Sequence, residues 1–191
     1  MGMTVKRSKD SKLPRVLAHK VADIRGGVSV KASELGGEFL LEGTPLSAPT
    51  NGICNVVKYA TVSAAALAAA TTIKVKKGHH FVINDIVLVK ENDVAVKITA
   101  IDKTNSGYDE ITVNAALGAL AIGDAIILAA AEADSTDKDS ALKYIPQSIA
   151  GTNKPVDVKD NLDVDAWLIA VTQGNDLPEL LASKLKGIIN Y

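Results

Sequence analysis

Three kinds of side chain in this sequence could do chemistry at a defined site: histidines, clustered aspartates and a thiol. The histidines are His19, His79 and His80. Adjacent residues on a strand project to opposite faces, so His79 and His80 are not expected to share a metal ion there. No HExxH and no spaced Cys/His set accompanies them. Asp134, Asp137 and Asp139 fall within the polar stretch 132–140. A calcium loop of the EF-hand type needs carboxylates at positions 1, 3 and 5, a glycine at 6 and a glutamate at 12. Counting from Asp134 or Asp137 fails both tests, so a solvated linker is expected. Cys54 is the single cysteine, which excludes an intrachain disulfide and a CxxC metal site. The GxSxG, GxxxxGK[ST] and GxGxxG motifs are absent. The other carboxylates stand in turn-like or polar contexts, whereas catalysis needs burial or a neighbour to perturb a pKa. A non-enzymatic protein without metal or cofactor is expected.

Composition narrows the partners. The 191 residues carry a formal charge of -1, and aromatic residues make up 4%. Phosphate-driven nucleic-acid binding needs a cationic surplus, and the stacking of bases needs aromatic platforms, so nucleic acid is not an expected partner. The longest apolar stretch, about 115–133, is broken by Gly118, Gly123 and Asp124 and is too interrupted to span a bilayer. The opening MGMTVKRSKDSKLPR lacks the apolar centre of a secretory signal, so synthesis in a reducing cytoplasm is expected. The local cationic surplus lies in residues 1–15, where Lys6, Arg7, Lys9, Lys12 and Arg15 face one acid, Asp10. That segment is expected to be a flexible basic arm suited to an acidic surface.

The elements that would position any site are mostly strands. Turn signals at Gly26-Gly27, Gly36-Gly37, Gly43-Thr44-Pro45 and Thr50-Asn51-Gly52 divide residues 16–62 into short strands, read as a β-meander. Ala64–Ala70 is nearly all alanine and reads as a connector of one or two helical turns. From 72 to 131 the alternation of Ile73 and Val75 with Lys74 and Lys76 marks a half-buried strand. The phrase Ile83-Asn84-Asp85-Ile86-Val87-Leu88 returns thirty-nine residues later as Ile122-Gly123-Asp124-Ala125-Ile126-Ile127. In each copy a residue that accepts a left-handed backbone precedes an Asp whose carboxylate can bond nearby amides. A small barrel or sandwich over 72–131 follows.

Residues 132–191 read as a linker and a C-terminal α+β segment. Asp176 and Glu179 around Leu177-Pro178 resemble a capping box. Leu177, Leu180, Leu181, Leu185 and Ile188 then share one helical face, a stripe suited to core packing or to an oligomer contact. The expected class is mainly β: a β-meander plus a small barrel or sandwich, with a short C-terminal α-helix. The expected units are 1–15 (arm), 16–131 (β-rich body) and 132–191.

The order Gly43-Thr-Pro-Leu46, Asn51-Gly-Ile53 and Lys58-Tyr-Ala60 resembles the opening of phage head-fibre and capsid-decoration proteins. So do Thr72-Ile-Lys-Val75, Lys77-Gly-His79, Phe81, Asn84-Asp-Ile-Val87 and the strands at 98–102 and 111–113. The resemblance covers about residues 37–130, with Asn84 where Gly is more usual. It implies a structural virion protein on the exterior of a tailed-phage capsid, a homo-oligomer with a trimer favoured, contacting the major capsid protein. The alternative is a carbohydrate- or host-surface-binding module of a phage fibre, for which Trp167 and Tyr108 are the candidate platforms.

Overall fold

The computed structural model describes residues 13–191. Five short strands come first: β1 (Leu17–Asp23), β2 (Val28–Val30), β3 (Phe39–Leu40), β4 (Pro45–Ser47) and β5 (Ile53–Cys54). Six more follow as β6 (Tyr59–Thr61), β7 (Thr72–Val75), β8 (Ile86–Leu88), β9 (Ala95–Asp102), β10 (Asp109–Val113) and β11 (Ala125–Leu128). The chain ends with β12 (Pro146–Ala150), β13 (Lys154–Pro155), β14 (Leu162–Val164), β15 (Ala166–Thr172), α1 (Glu179–Lys184) and β16 (Ile188–Asn190). The fold is mainly β with one short C-terminal helix.

The middle six strands form one sheet in the order β6-β11-β8-β9-β10-β7. Its two outer strands meet: Val62 bridges Val75, Ser63 N donates to Lys74 O at 2.9 Å and Lys76 N to Thr61 O at 2.8 Å. The sheet is therefore rolled, and its inward residues make one core of Ala60, Ile73, Val75, Val87, Val96, Ile98, Ile111, Val113, Ile126 and Leu128, plugged by Phe81. Strand alternation places these side chains inside and their neighbours outside.

The repeated phrase is one part of a deeper duplication. Asn84 N donates to Ile98 O and Ile98 N to Asp85 O, at 2.9 and 2.8 Å. Gly123 N donates to Val62 O and Val62 N to Asp124 O, at 3.0 and 2.7 Å. Thus β6-β7-β8 and β9-β10-β11 are counterparts. Ile73 faces Ile111 and Leu88 faces Ile127, each residue beside its own counterpart. A pseudo-twofold axis through these pairs exchanges the two ends of the roll. Asn84 at φ 74° and Gly123 at φ 96° hold the same left-handed place, where Asn and Gly are best tolerated.

Around this roll, N- and C-terminal strands interleave. β1-β15-β12-β4 form a sheet with β16 also on β15, β14-β2-β5 form a second and β13-β3 a third. The meander expected over 16–62 is not found there: β1 to β4 take partners from 146–172, β5 pairs with β2 in parallel, β6 pairs with β11, and the sequential run lies at β8-β9-β10. Short apolar strands carry no local mark of their partner, so the burial of Val30, Leu40, Leu46 and Cys54 with Ala150, Val164 and Ala166 decides it. Thr50-Asn51-Gly52 does form the expected turn, with φ of 52° and 80° at its central residues.

Two helical expectations fail. Residues 64–70 form no helix, because Ala66 and Leu120 exchange both backbone hydrogen bonds at 2.9 Å. Seven residues cannot repay helix nucleation against such pairing. α1 spans six residues, its N-cap is Pro178 without a side-chain bond, and no capping box forms. Asp176 instead reaches Lys76 and Thr61 on the roll.

Candidate functional site

A concave surface lined by many polar side chains lies where the roll meets the interleaved strands. The cleft has a volume of about 220 Å³. Lys58, Tyr59, Lys76, Lys77, His79 and His80 line one wall, and Glu42, Asn175 and Asp176 the other. β7 delivers the lysines and histidines because the chain leaves it at Lys76 and turns at Gly78 (φ 90°). β6 delivers Tyr59, and Lys58 directly precedes it.

These groups spend their hydrogen bonds on one another. Lys58 Nζ, 2% exposed, lies 2.7 Å from Asp85 Oδ2, which also accepts the Val82 amide at 2.9 Å. Burial lowers the Lys58 pKa, while Asp85 opposes that shift. Lys77 binds Asp109 at 2.6 Å, Lys76 binds Asp176, and Glu42 accepts the Val16 and Leu17 amides. Glu34 pairs with Lys31 and accepts from Tyr144 OH. Burial alone would raise the Glu34 pKa, and the neighbouring lysines hold it below the usual carboxylate range. Tyr59 is pushed up to about 12, mainly by burial.

His79 and His80 lie on the turn after β7 rather than on a strand, and both are buried. Burial drives each pKa down to about 4, so both are neutral at pH 7. His79 Nδ1 accepts the Phe81 amide at 3.2 Å, which puts the proton on Nε2. Nε2 stands 3.3 Å from Asp109 Oδ2 but is not aligned for a hydrogen bond. His80 packs its ring on Gly37, and Gly36 N donates to His80 O. The pair is thus a packing joint between halves of the molecule. Among the described residues no three His, Cys, Asp or Glu side chains gather where a metal ion could be held. Asp134 accepts the Thr136 and Asp137 amides, which lower its pKa and make it a turn cap. Cys54 is buried, and burial raises its pKa, the opposite of a reactive thiol.

The candidate attachment residues Lys6, Arg7, Lys9 and Lys12 lie outside the described residues, and Arg15 is exposed beside the cleft mouth. The C-terminal stripe is internal. Leu181 is fully buried against Val57, Leu88 and Ile127, and Leu185 against Ile149 and Ala170, while Leu177 touches both groups and Leu180 the first. Ile188 is in β16, not on the helix. The stripe packs the helix between roll and sheet, with Leu177, Leu180 and Ile188 partly buried. Both candidate aromatic platforms are half-buried and carry a lysine over one face: Lys20 lies over Trp167 at 5.2 Å and Lys74 over Tyr108 at 4.6 Å from the ring centroids. Trp167 also presses its indole N–H against Gly151.

In the sequence Lys58 stands out only as part of the Lys58-Tyr-Ala60 phrase and not as a buried charge. Its signal is a lysine inside the apolar run Val56-Val57-Lys58-Tyr59-Ala60. Its counterpart in the second half of the roll is Val94, so the charge belongs to one half alone. Among the described residues no helix is long and apolar enough to cross a membrane. Comparison with known proteins finds no matching family model, curated protein or solved structure.

Proposed function

We propose that this chain is a structural, non-enzymatic protein of a tailed-phage virion, carried on the outer surface of the capsid. The observation that carries the reading is the use made of the phrases that resemble head-fibre and decoration proteins. Asn84-Asp85 and Gly123-Asp124 are spent on closing two matched turns of the rolled sheet. The polar groups of the cleft are likewise mostly paired within the chain, a rigid arrangement with little to offer a substrate. Such a body suits a protein whose work is contact.

The proposed partners are the major capsid protein and further copies of this chain. Attachment is assigned to Lys6, Arg7, Lys9, Lys12 and Arg15, five cations against Asp10. One exposed ion pair contributes only about 0–1 kcal/mol. Several pairs repeated over an oligomer gain from effective concentration. The test is co-sedimentation of the full chain and a form lacking residues 1–14 with purified capsids that lack this protein. Binding by the full chain and loss with the truncated form support the reading. Failure of both to bind contradicts it, and full binding by the truncated form moves attachment to the folded body. A lysine over one face of each of the half-buried rings of Trp167 and Tyr108 weighs against a sugar-binding module.

A further inference from the structure

Asn51 is the one asparagine of the chain that is followed by glycine. The pair forms the tight turn between Thr50 and Ile53, where Ile53 N donates to Thr50 O at 3.1 Å and Thr50 N to Ile53 O at 2.9 Å. Both turn residues are exposed, at φ of 52° and 80°. Nothing lies within 4 Å of where a Cβ on Gly52 would stand, and among the described residues the Gly52 N–H has no hydrogen-bond partner. Other asparagines are held or shielded. The side-chain oxygens of Asn105, Asn114 and Asn153 accept backbone amides, and Asn175 and Asn190 bond through their side chains to Gly43 and Thr172. Asn55, Asn84, Asn92 and Asn161 are followed by Val, Asp, Asp and Leu, whose side chains crowd the next amide nitrogen.

We propose that Asn51-Gly52 is a self-modifying site, at which conversion of the asparagine to isoaspartate releases β5 from its place in the fold. An asparagine carboxamide is open to attack by the amide nitrogen of the next residue, and glycine leaves that nitrogen least hindered. Gly52 N gives its proton to solvent base and bonds to Asn51 Cγ. The Cγ–Nδ2 bond breaks, the nitrogen leaves as ammonia, and a cyclic imide closes. Water then opens the ring. Attack at Cγ gives aspartate, whereas attack at the former main-chain carbonyl gives isoaspartate, whose main chain runs through Cβ and Cγ. No oxidation or reduction takes place, and water is the co-reactant.

Aspartate keeps the turn, since Asp also visits the left-handed backbone. Isoaspartate adds a methylene to the main chain of a two-residue turn, and turn length sets the register of the strands it joins. The strand that follows is β5, parallel to β2, with Lys31 N donating to Cys54 O and Ser47 N to Asn55 O, both at 2.9 Å. Cys54 is fully buried in a core with Val30 and Leu46. A slip of β5 brings its thiol out of that core, so Cys54 reports the change. The inference stands apart from the virion reading.

The experiment ages the purified full chain for days in mildly alkaline buffer, folded and in urea, and maps its peptides by mass. The folded chain is expected to convert at Asn51 ahead of every other asparagine, with isoaspartate in excess of aspartate. A thiol reagent is expected to label Cys54 in the isoaspartate fraction and to leave unaged chains unlabelled. Asn51→Gly keeps a residue that accepts positive φ and removes the carboxamide, so it is expected to age without gaining a reactive thiol. An Asn51 that converts in urea but stays intact in the folded chain would overturn the proposal, because the turn would then protect the pair. Isoaspartate chains whose Cys54 stays closed would overturn it as well. Should Asn51→Gly itself expose the thiol, converted and unconverted wild-type chains from one aged sample still decide the matter.

Discussion

Asp85 and Asp124 do the same work thirty-nine residues apart. Each Oδ2 accepts the amide three residues earlier, Val82 at 2.9 Å and Ala121 at 2.7 Å, but Asp85 alone also holds a buried ammonium, Lys58. The two aspartates are therefore expected to differ in cost. Asp124→Ala removes one turn bond, worth about 1 kcal/mol. Asp85→Ala also leaves the Lys58 charge buried without its partner, which costs about 3–5 kcal/mol. Replacing both partners, as Lys58→Met with Asp85→Asn, should recover most of that loss. Urea unfolding of the four proteins checks it, and equal losses for the two alanine variants would contradict the pairing.

The histidine joint makes stability depend on pH. The pKa of His79 and of His80 is about 4 in the folded chain, against about 6.5 for a solvated imidazole. The unfolded chain therefore binds more protons between these values. Stability is fully present above pH 6.5, declines as pH falls, and stops declining on this account near 4. Each imidazole contributes at most ~3 kcal/mol to the loss. Urea midpoints from pH 7 to 4.5 should fall, and the His79→Gln/His80→Gln protein should show a flatter profile from a lower start. A wild-type profile flat over that range would remove the buried-imidazole account.

The same joint depends on close backbone approach. A Cβ at Gly36 would collide with the Phe81 carbonyl oxygen, and one at Gly37 would stand 2.8 Å from His80 Nδ1. Gly36→Ala should lower stability by about 1–3 kcal/mol through overpacking. Limited proteolysis should then find new cuts near residues 35–40. A variant as resistant as the parent would mean that the seam is looser than described.

The C-terminal stripe offers a clean separation of core from interface. Leu181 is fully buried within the chain, so Leu181→Ala should cost about 2–5 kcal/mol without changing the oligomer mass of the folded fraction. Differential scanning with light scattering reads both. Loss of assembly without loss of stability would return the helix to the interface.

What the sequence made legible was local. The Asn84-Asp85 and Gly123-Asp124 turns could be read, because left-handed backbone and a carboxylate three residues after an amide leave a mark in residue type. So could Asn51-Gly52 and the strand Ile73–Val75. Pairing over long separations could not: β2 meets β14 and β4 meets β12, and two- or three-residue strands carry no partner code. The duplication was half visible, since Ile83–Leu88 echoes Ile122–Ile127 in type, whereas Val62 and Ile98 are equivalent only through their hydrogen bonds. The cleft was hidden for a related reason. Its residues come from 42, 58–61, 76–80 and 175–176, and only folding brings them together.

The virion reading is tested most directly by quantitative proteomics of particles purified from cells in which this chain is made during a phage infection. Intact particles are compared with and without brief protease treatment. The account predicts many copies of the chain per particle, cut by protease while the major capsid protein and packaged genome stay protected. Absence from washed particles, or presence in a form that protease on intact particles cannot reach, would contradict a place on the capsid exterior.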